Sequence, residues 1–530
     1  MKKLWEKQGK KDMESVIFLL LLFVMAVYYG WRLFALTPWY DELYTYYYFI
    51  SRGPVYAAIH WPLPNNHVGY SVLSAILDLF GNAAIGLRGV SWICSLISLC
   101  LLFAISRKCF PKGYALVPPF LYASMEIVNQ LAVQGRGYAL ASCLYLTAFN
   151  ELLQIVKFGK TGKRYYIVLA CAFIWAIYTL PSSVYFVVPL CVIGGGWLLL
   201  EKRIKEFWQL FVTALISAVC VTGLYAVIWL AIGSNLLSKM PERDFYGMSH
   251  VSIILHAPFA ALQTGIKYML DTPYIQSVPR EGYLSRFGIW IKALLEYYYS
   301  GMSAFLAVMI GIGLIGLAAV LGISISKRLK KTDGREAADF LEWYLLLSFI
   351  LTPLMLIIQA ALPYYRVFSY FGIPVVLLFT WLVVKIVAVI KKPVLAYVVA
   401  ACVALLCIIH LGSPSYLAQY SDREAAIEDA CEHMDMQSDK IVFVSDCDQE
   451  YLVKYLYDRE DTAGTMQDAD YILLDKLLLL TAEEFEKADS ADKWKFYVYH
   501  DGIEWDYIEK EMVFCYENER FVLYERKSAY

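Results

Sequence analysis

Eleven apolar runs, near 16–36, 84–106, 114–131, 137–156, 165–181, 183–200, 207–233, 302–325, 341–362, 367–390 and 393–411, leave this chain few folds to choose from. A helix crosses the hydrocarbon core with about 20 such residues. In lipid each backbone N–H and C=O must also be satisfied inside the protein, which a helix does within its own segment. The runs therefore predict a polytopic α-helical membrane protein. Composition agrees, since 59% of the residues are apolar and 18% charged, against roughly 45–50% and 25% in soluble domains. The first run follows the basic stretch KKLWEKQGKK, lacks a small-residue cleavage site and is longer than a signal h-region, so it is expected to be retained.

Loop charge gives an orientation. Alternate loops read RKCFPKG, KFGKTGKR, EKRIKE, KRLKKTDGR and KK, while the short loops between them hold one Arg each (Arg52, Arg136, Arg366) or none. Lys and Arg collect on the cytoplasmic side, so the N-terminus is expected inside and, after an odd number of spans, the tail outside the cytoplasmic membrane. Residues 413–530 carry 29 acids and 12 bases, a net −17, whereas the rest carries 34 bases and 19 acids, a net +15. The bases form no aromatic-interleaved groove, so nucleic acid is not an expected partner. IVFVSD and DYILLD read as strands, QEYLVKYLYDRE as a helix between them, FYVYH as a further extended segment, and MVFCYENERFVLYERK as a hairpin turning at Glu517-Asn518. The chain thus divides into a membrane module over 1–412 and a small extracytoplasmic α/β domain over 413–530. Cys431, Cys447 and Cys515 in the tail show no C-x-x-C spacing, so no zinc site is expected there.

Two outward loops, 37–67 and about 234–300, are longer than connectors need to be, and long loops on a rigid scaffold are where function concentrates. In the first, Asp41 and Glu42 stand among Trp39, Tyr40, Tyr44 and Tyr46. A carboxylate just outside the bilayer among aromatics is partly desolvated and suited to act as a base; the same aromatics also fit an interfacial belt. Arg136 and Arg366 fall at the outer interface, where a planar, always-charged guanidinium suits a phosphate headgroup or simply snorkels to lipid. His67 opens an amphipathic stretch. Arg52, Arg88, His250 and Arg280 are secondary candidates.

The order of these pieces, namely a first helix, WYDELYT, NNHVGY, LRG entering the next helix, RGYAL with Arg136 and Tyr138, and late YYRVFSYFGIP, resembles the GT-C glycosyltransferases. The resemblance is to the family 39-like group of protein mannosyltransferases, the aminoarabinose transferase of lipid A and bacterial RgtA/B/C/D-like enzymes. Val68 and Gly69 stand in place of that group's prolines after the His, and Gln134 where an acid commonly precedes the Arg. The resemblance implies a GT-C-like helical module that moves a hexosyl or pentosyl group by a single inverting displacement. Asp41 would take the acceptor proton. Glu42 would support it or, like His67, hold a divalent cation, the one cofactor left open. Arg136, Arg366, His67, Tyr138 and Arg52 would bind the lipid phosphate and substrate. An outward-facing site needs a donor delivered through the bilayer, so the expected partners are a polyprenyl-phosphate sugar, an extracytoplasmic glycan, lipid or protein acceptor, and membrane lipid. A transporter or flippase, or a non-catalytic scaffold of envelope polysaccharide assembly, is the alternative; the spans' lack of central charge and of internal repeats argues against transport.

Overall fold

Each apolar run is helical, wholly or in part, in the computed structural model, which describes residues 13–60, 65–234, 250–271, 275, 277–329, 339–390, 394–412, 422–436, 439–459, 461–488, 490 and 493–527. The basic N-terminal stretch, residues 235–249 of the second long loop, most of KRLKKTDGR and the KK at 391–392 lie outside the described residues. In chain order the helices are α1 (Met13–Ala35), α2 (Tyr40–Thr45), α3 (Pro54–Ile59), α4 (Val68–Asp78), α5 (Ala83–Cys109), α6 (Val117–Ser124), α7 (Glu126–Leu131), α8 (Tyr138–Val156), α9 (Lys163–Thr179), α10 (Val184–Leu200), α11 (Ile204–Gly233), α12 (His250–His256), α13 (Pro258–Asp271), α14 (Tyr283–Tyr298), α15 (Ser303–Leu329), α16 (Phe340–Gln359), α17 (Gly372–Ile390) and α18 (Val394–Leu411). Among the described residues eight stretches are long and apolar enough to cross a membrane: α1, α5, α8, α10 and α17 with the turns before them, α11, α15 and α16. On α1 the two faces separate cleanly: Met25 and Tyr29 are buried, whereas Leu20 and Phe23 point outward, as a helix between protein and lipid requires.

The run at 114–131 departs from the expected single helix. It is α6 and α7, separated at Met125, whose backbone is extended (φ −67°, ψ 131°). A break inside an apolar bundle strands backbone groups, and here a side chain takes them up: Asn129 Nδ2 donates to the Ala123 carbonyl at 2.5 Å, and buried Arg32 of α1 donates to Asn129 O and Oδ1 at 3.0 and 2.9 Å. The broken segment nevertheless runs the length of α1, for Glu14 at one end accepts from the Gly113 N–H and Glu42, beyond the other end, from the Gly135 N–H at 2.5 Å. Basic loops gather at the Glu14 end. Lys157 pairs with Asp339 there, and Arg203 donates to Ile155 O and Val156 O at 2.9 and 2.8 Å.

The tail continues with α19 (Asp422–Cys431), β1 (Val442–Val444), α20 (Cys447–Tyr457), β2 (Tyr471–Asp475), α21 (Ala482–Lys487), α22 (Trp505–Glu511), β3 (Met512–Glu517) and β4 (Phe521–Arg526). Its sheet has the order β1-β2-β4-β3, parallel between β1 and β2 and antiparallel elsewhere. Two expectations need correcting. FYVYH is no strand but a single bridge, Asp446 to Phe496, followed by irregular chain. The hairpin turns over 518–520, because Asn518 Oδ1 accepts the Arg520 and Phe521 amides at 3.0 and 2.9 Å. Arg423 is buried among Asp446, Asp448 and Asp475, with Nη2–Oδ2 2.6 Å to the first and Nε–Oδ2 3.0 Å to the second.

The tail does not stand apart from the membrane module. Leu43, Tyr44, Phe49 and Ala57 of the first outer loop share one buried core with Ile427, Val444, Leu452 and Leu523 of the tail. Thr37 donates its hydroxyl to Glu428, and the Tyr40 N–H donates to Glu424 Oε1 at 3.0 Å. Burial, reinforced by the charge of Asp448, pushes the Glu424 carboxyl up to about 7. A carboxyl held above its unfolded value, about 4.3, stabilises the folded chain below that value and loses the contribution as pH rises through its folded one. Stability is therefore expected to fall between pH ~4.3 and about 7. Glu424→Gln should flatten that slope, as read from unfolding temperature against pH; an unchanged slope would place the titration elsewhere.

Candidate functional site

The site is assembled where the outer end of α1, the loop before α8 and the 3-10 turn Tyr365–Phe371 before α17 meet. Asp41 and Glu42 are neighbours on α2, about 100° apart around its axis, and that angle gives them different surroundings. Glu42 is fully buried and gripped by Arg88 as a fork, Nε to Oε1 at 2.8 Å and Nη2 to Oε2 at 3.0 Å. It also accepts the Gly135 N–H at 2.5 Å and the Trp39 N–H at 2.9 Å. Arg88 Nη1 meanwhile donates to Leu33 O and Leu36 O at 2.9 and 2.6 Å, so the pair also caps the end of α1. Both Glu42 oxygens are committed to protein donors, and Glu42 fits neither a base nor a cation ligand. It is a clamp.

Asp41 turns the other way. Its Oδ2 lies 3.0 Å from Arg366 Nη2, and both side chains are partly exposed, at 17% and 24%. Arg366 stacks over Trp39 and Tyr364, each 5.0 Å from the guanidinium carbon to the ring centre. The carboxylate and the guanidinium thus stand together at a solvent-reachable surface walled by aromatics.

Arg136 lies behind this pair. It is 3% exposed, and its Nη1 donates to Thr45 Oγ1 at 2.6 Å, Asn65 O at 3.0 Å and Asp41 O at 3.3 Å, while Nη2 donates to Asn65 Oδ1 at 2.5 Å. This guanidinium draws the two halves of the 37–67 loop together and does not face lipid, a correction to its expected place at the interface. Two glycines let it do so. A Cβ on Gly135 would sit 2.4 Å from Leu87 Cδ1, and one on Gly137 2.6 Å from Thr179 Cγ2. His67 is buried; its Nδ1 accepts the Gly137 N–H at 2.9 Å, and Arg136 Nη2 is 3.3 Å from Nε2. Desolvation, then the charges of Arg136 and Arg366, hold its pKa well below the ordinary imidazole value. The ring is neutral, with Nδ1 spent on a backbone donor, and unsuited to metal binding. Tyr138 packs edge-on against it at 5.0 Å.

Arg52 is not brought to the site. It is exposed and donates locally to Tyr47 O at 3.2 Å and Tyr56 OH at 3.1 Å. Arg280 donates to Ile358 O of α16 at 3.2 Å, and Arg286 to Glu281 O, just before its own helix α14, at 2.8 Å. Among the described residues no group of three or more His, Cys, Asp or Glu side chains is placed to hold a metal. Since Glu42 and His67 are also occupied, the donor set does not fit a divalent cation. Arg88, only a secondary candidate from sequence, proves central to the site's framework. An arginine inside an apolar run must find an acid, and Glu42 was the acid at hand.

Residues 67–231 match the family model described as dolichyl-phosphate-mannose-protein mannosyltransferase. The match opens on His67 and takes in Arg88, Arg136 and Tyr138; Asp41, Glu42 and Arg366 lie outside it. It agrees with the resemblance carried by NNHVGY and RGYAL. No curated protein matches the chain. Among solved structures, the apo oligosaccharyltransferase of Archaeoglobus fulgidus is 12% identical with a TM-score of 0.43, over 87% of this chain and 70% of that one. AglB of the same organism, in complex with an inhibitory peptide and a dolichol-phosphate, is 12% identical with a TM-score of 0.44, over 88% and 70%. ArnT from Cupriavidus metallidurans, bound to undecaprenyl phosphate, is 12% identical with a TM-score of 0.41, over 96% and 97%.

Proposed function

From the match of residues 67–231 to the dolichyl-phosphate-mannose-protein mannosyltransferase family model, we propose that the whole chain is a GT-C membrane glycosyltransferase that moves a hexosyl or pentosyl group from a polyprenyl-phosphate donor to an acceptor hydroxyl. The observation that carries the reading is the Asp41–Arg366 pair, 3.0 Å apart and partly exposed at one end of the bundle. Asp41 takes the acceptor proton as the hydroxyl oxygen bonds to the anomeric carbon. The bond from that carbon to the phosphate oxygen breaks, its electron pair leaves on the phosphate, and Arg366 stabilises the charge that develops there. One displacement inverts the anomeric centre. Glu42, Arg88 and Arg136 are positioning residues that fix α2, and with it Asp41, against the bundle.

Arginine-to-lysine exchange separates these roles. A lysine keeps the charge and loses the planar fork, so both substitutions should slow transfer. Arg366→Lys is expected to lower kcat and also raise donor KM, because its guanidinium meets the phosphate both before and during its departure, and Arg136→Lys to lower kcat with donor KM unchanged, measured against donor concentration in purified protein. If both variants match the parent, the phosphate binds elsewhere.

The reading places the site, the first outer loop and residues 413–530 on the extracytoplasmic face of the plasma membrane, with eleven crossings and a cytoplasmic N-terminus. Its support is that the tail packs on the Asp41 loop while basic loops collect at the opposite end. A membrane-impermeant maleimide should label Glu483→Cys in intact cells. Labelling only after permeabilisation would reverse the orientation and remove the argument for a lipid-carried donor.

A further inference from the structure

Trp494 is 65% exposed, yet it is not loose. Its ring meets Tyr40 edge-on at 5.6 Å, one residue from Asp41. Next to it, Lys495 is anchored 2.6 Å from buried Asp448 and 5.2 Å from the Tyr40 ring centre, and Phe496 is pinned by its bridge to Asp446. On the other side of the pair, Tyr364 is 73% exposed and lies 5.0 Å from the Arg366 guanidinium. Two large exposed rings are thus tied to the Asp41–Arg366 pair, Trp494 of the tail through the Tyr40 ring and Tyr364 of the membrane module through the Arg366 guanidinium. Aromatic rings held exposed beside such a pair present faces on which a ligand can stack. The ligand class follows from what rings and their neighbours offer. The C–H faces of a pyranose carry partial positive charge and stack on the negative face of an aromatic ring, while the Lys495 ammonium offers hydrogen bonds to hydroxyl edges.

We propose that Trp494 and Tyr364 form a saccharide-binding platform that delivers a glycan acceptor to Asp41, so that the tail selects the acceptor. This rests on the glycosyltransferase reading above. A glycan is the ligand chosen because Asp41 needs a hydroxyl and because both rings are linked to the Asp41–Arg366 pair, one through Tyr40 and one through Arg366.

The test is a binding measurement that requires no transfer. Protein labelled with 5-fluorotryptophan is placed in nanodiscs, the Trp494 line is assigned with Trp494→Phe, and mannohexaose, maltohexaose, chitohexaose and cellohexaose are titrated separately. At least one should shift the Trp494 line. Tyr364→Ala should weaken that binding about tenfold, roughly 1.4 kcal/mol, whereas Tyr499→Ala, whose ring packs on Phe485 away from the site, should leave it unchanged. The shift should persist in Asp41→Asn. If none of the four sugars moves the line, or if a lipid-borne spin label broadens it, the ring belongs to a membrane belt or a peptide contact and the proposal falls. Failure of the glycosyltransferase reading would instead appear as no transfer from a polyprenyl-phosphate sugar by the parent protein, with sugar binding intact.

Discussion

Asp41→Asn should lower sugar transfer by about 10²–10⁴-fold while the protein still folds and its tail still docks. The substitution preserves size and leaves an oxygen for Arg366, now without charge, and it disturbs neither the Glu42 clamp nor the Arg136 contacts, which use the Asp41 backbone carbonyl and not its side chain. Turnover with a purified polyprenyl-phosphate sugar, together with an unfolding temperature near that of the parent, checks both halves. Near-normal turnover would reduce Asp41 to an aromatic-belt residue and place the base elsewhere in the site; a parent protein with no turnover at all would leave a non-catalytic scaffold as the better account of the chain.

A different kind of failure is expected at Arg88. Arg88→Leu strands Glu42 at 0% exposure and frees the Leu33 and Leu36 carbonyls at the end of α1. Breaking one half of a buried ion pair costs about 3–5 kcal/mol, a large share of the roughly 5–15 kcal/mol that holds a typical protein together. The variant should therefore unfold at markedly lower temperature or fail to accumulate. Replacing both partners, Arg88→Met with Glu42→Leu, removes the buried charges together and should recover much of the stability. It should not recover transfer, because nothing then holds α2 in register. Fluorescence-detected size exclusion after heating separates the variants; a single substitution as heat-stable as the parent would show that the clamp is dispensable.

The helices were legible because lipid leaves the backbone so little choice, and Arg366 could be singled out as a lone guanidinium at a helix start, though its pairing with Asp41 could not. Sequence alone treats Asp41 and Glu42 as a pair. Only the turn of α2 separates them, one toward Arg88 in the bundle and the other toward solvent. The glycines on either side of Arg136 were a readable sign of close approach, and they indicate that this arginine is enclosed by chain and not presented to lipid. Beyond reach were the contacts between Tyr40 and Glu424 and between Thr37 and Glu428. They join residues nearly 400 positions apart, |i−j| 384 and 391, with no local pattern in either segment.

Those contacts also set an order in time. The loop bearing Asp41 leaves the ribosome early, but the residues that complete its core, from Ile427 to Leu523, follow only after every helix of the membrane module. Until they arrive Leu43, Tyr44 and Phe49 lack the apolar surface that covers them, and α2 is held only by the Glu42 and Arg136 contacts. A nascent or truncated chain can insert its spans and still present no formed Asp41–Arg366 pair. Competence would then begin only once the tail has been made and has reached the same side of the membrane as the loop, and a stop codon after residue 412 would yield the membrane helices with an incompletely assembled site.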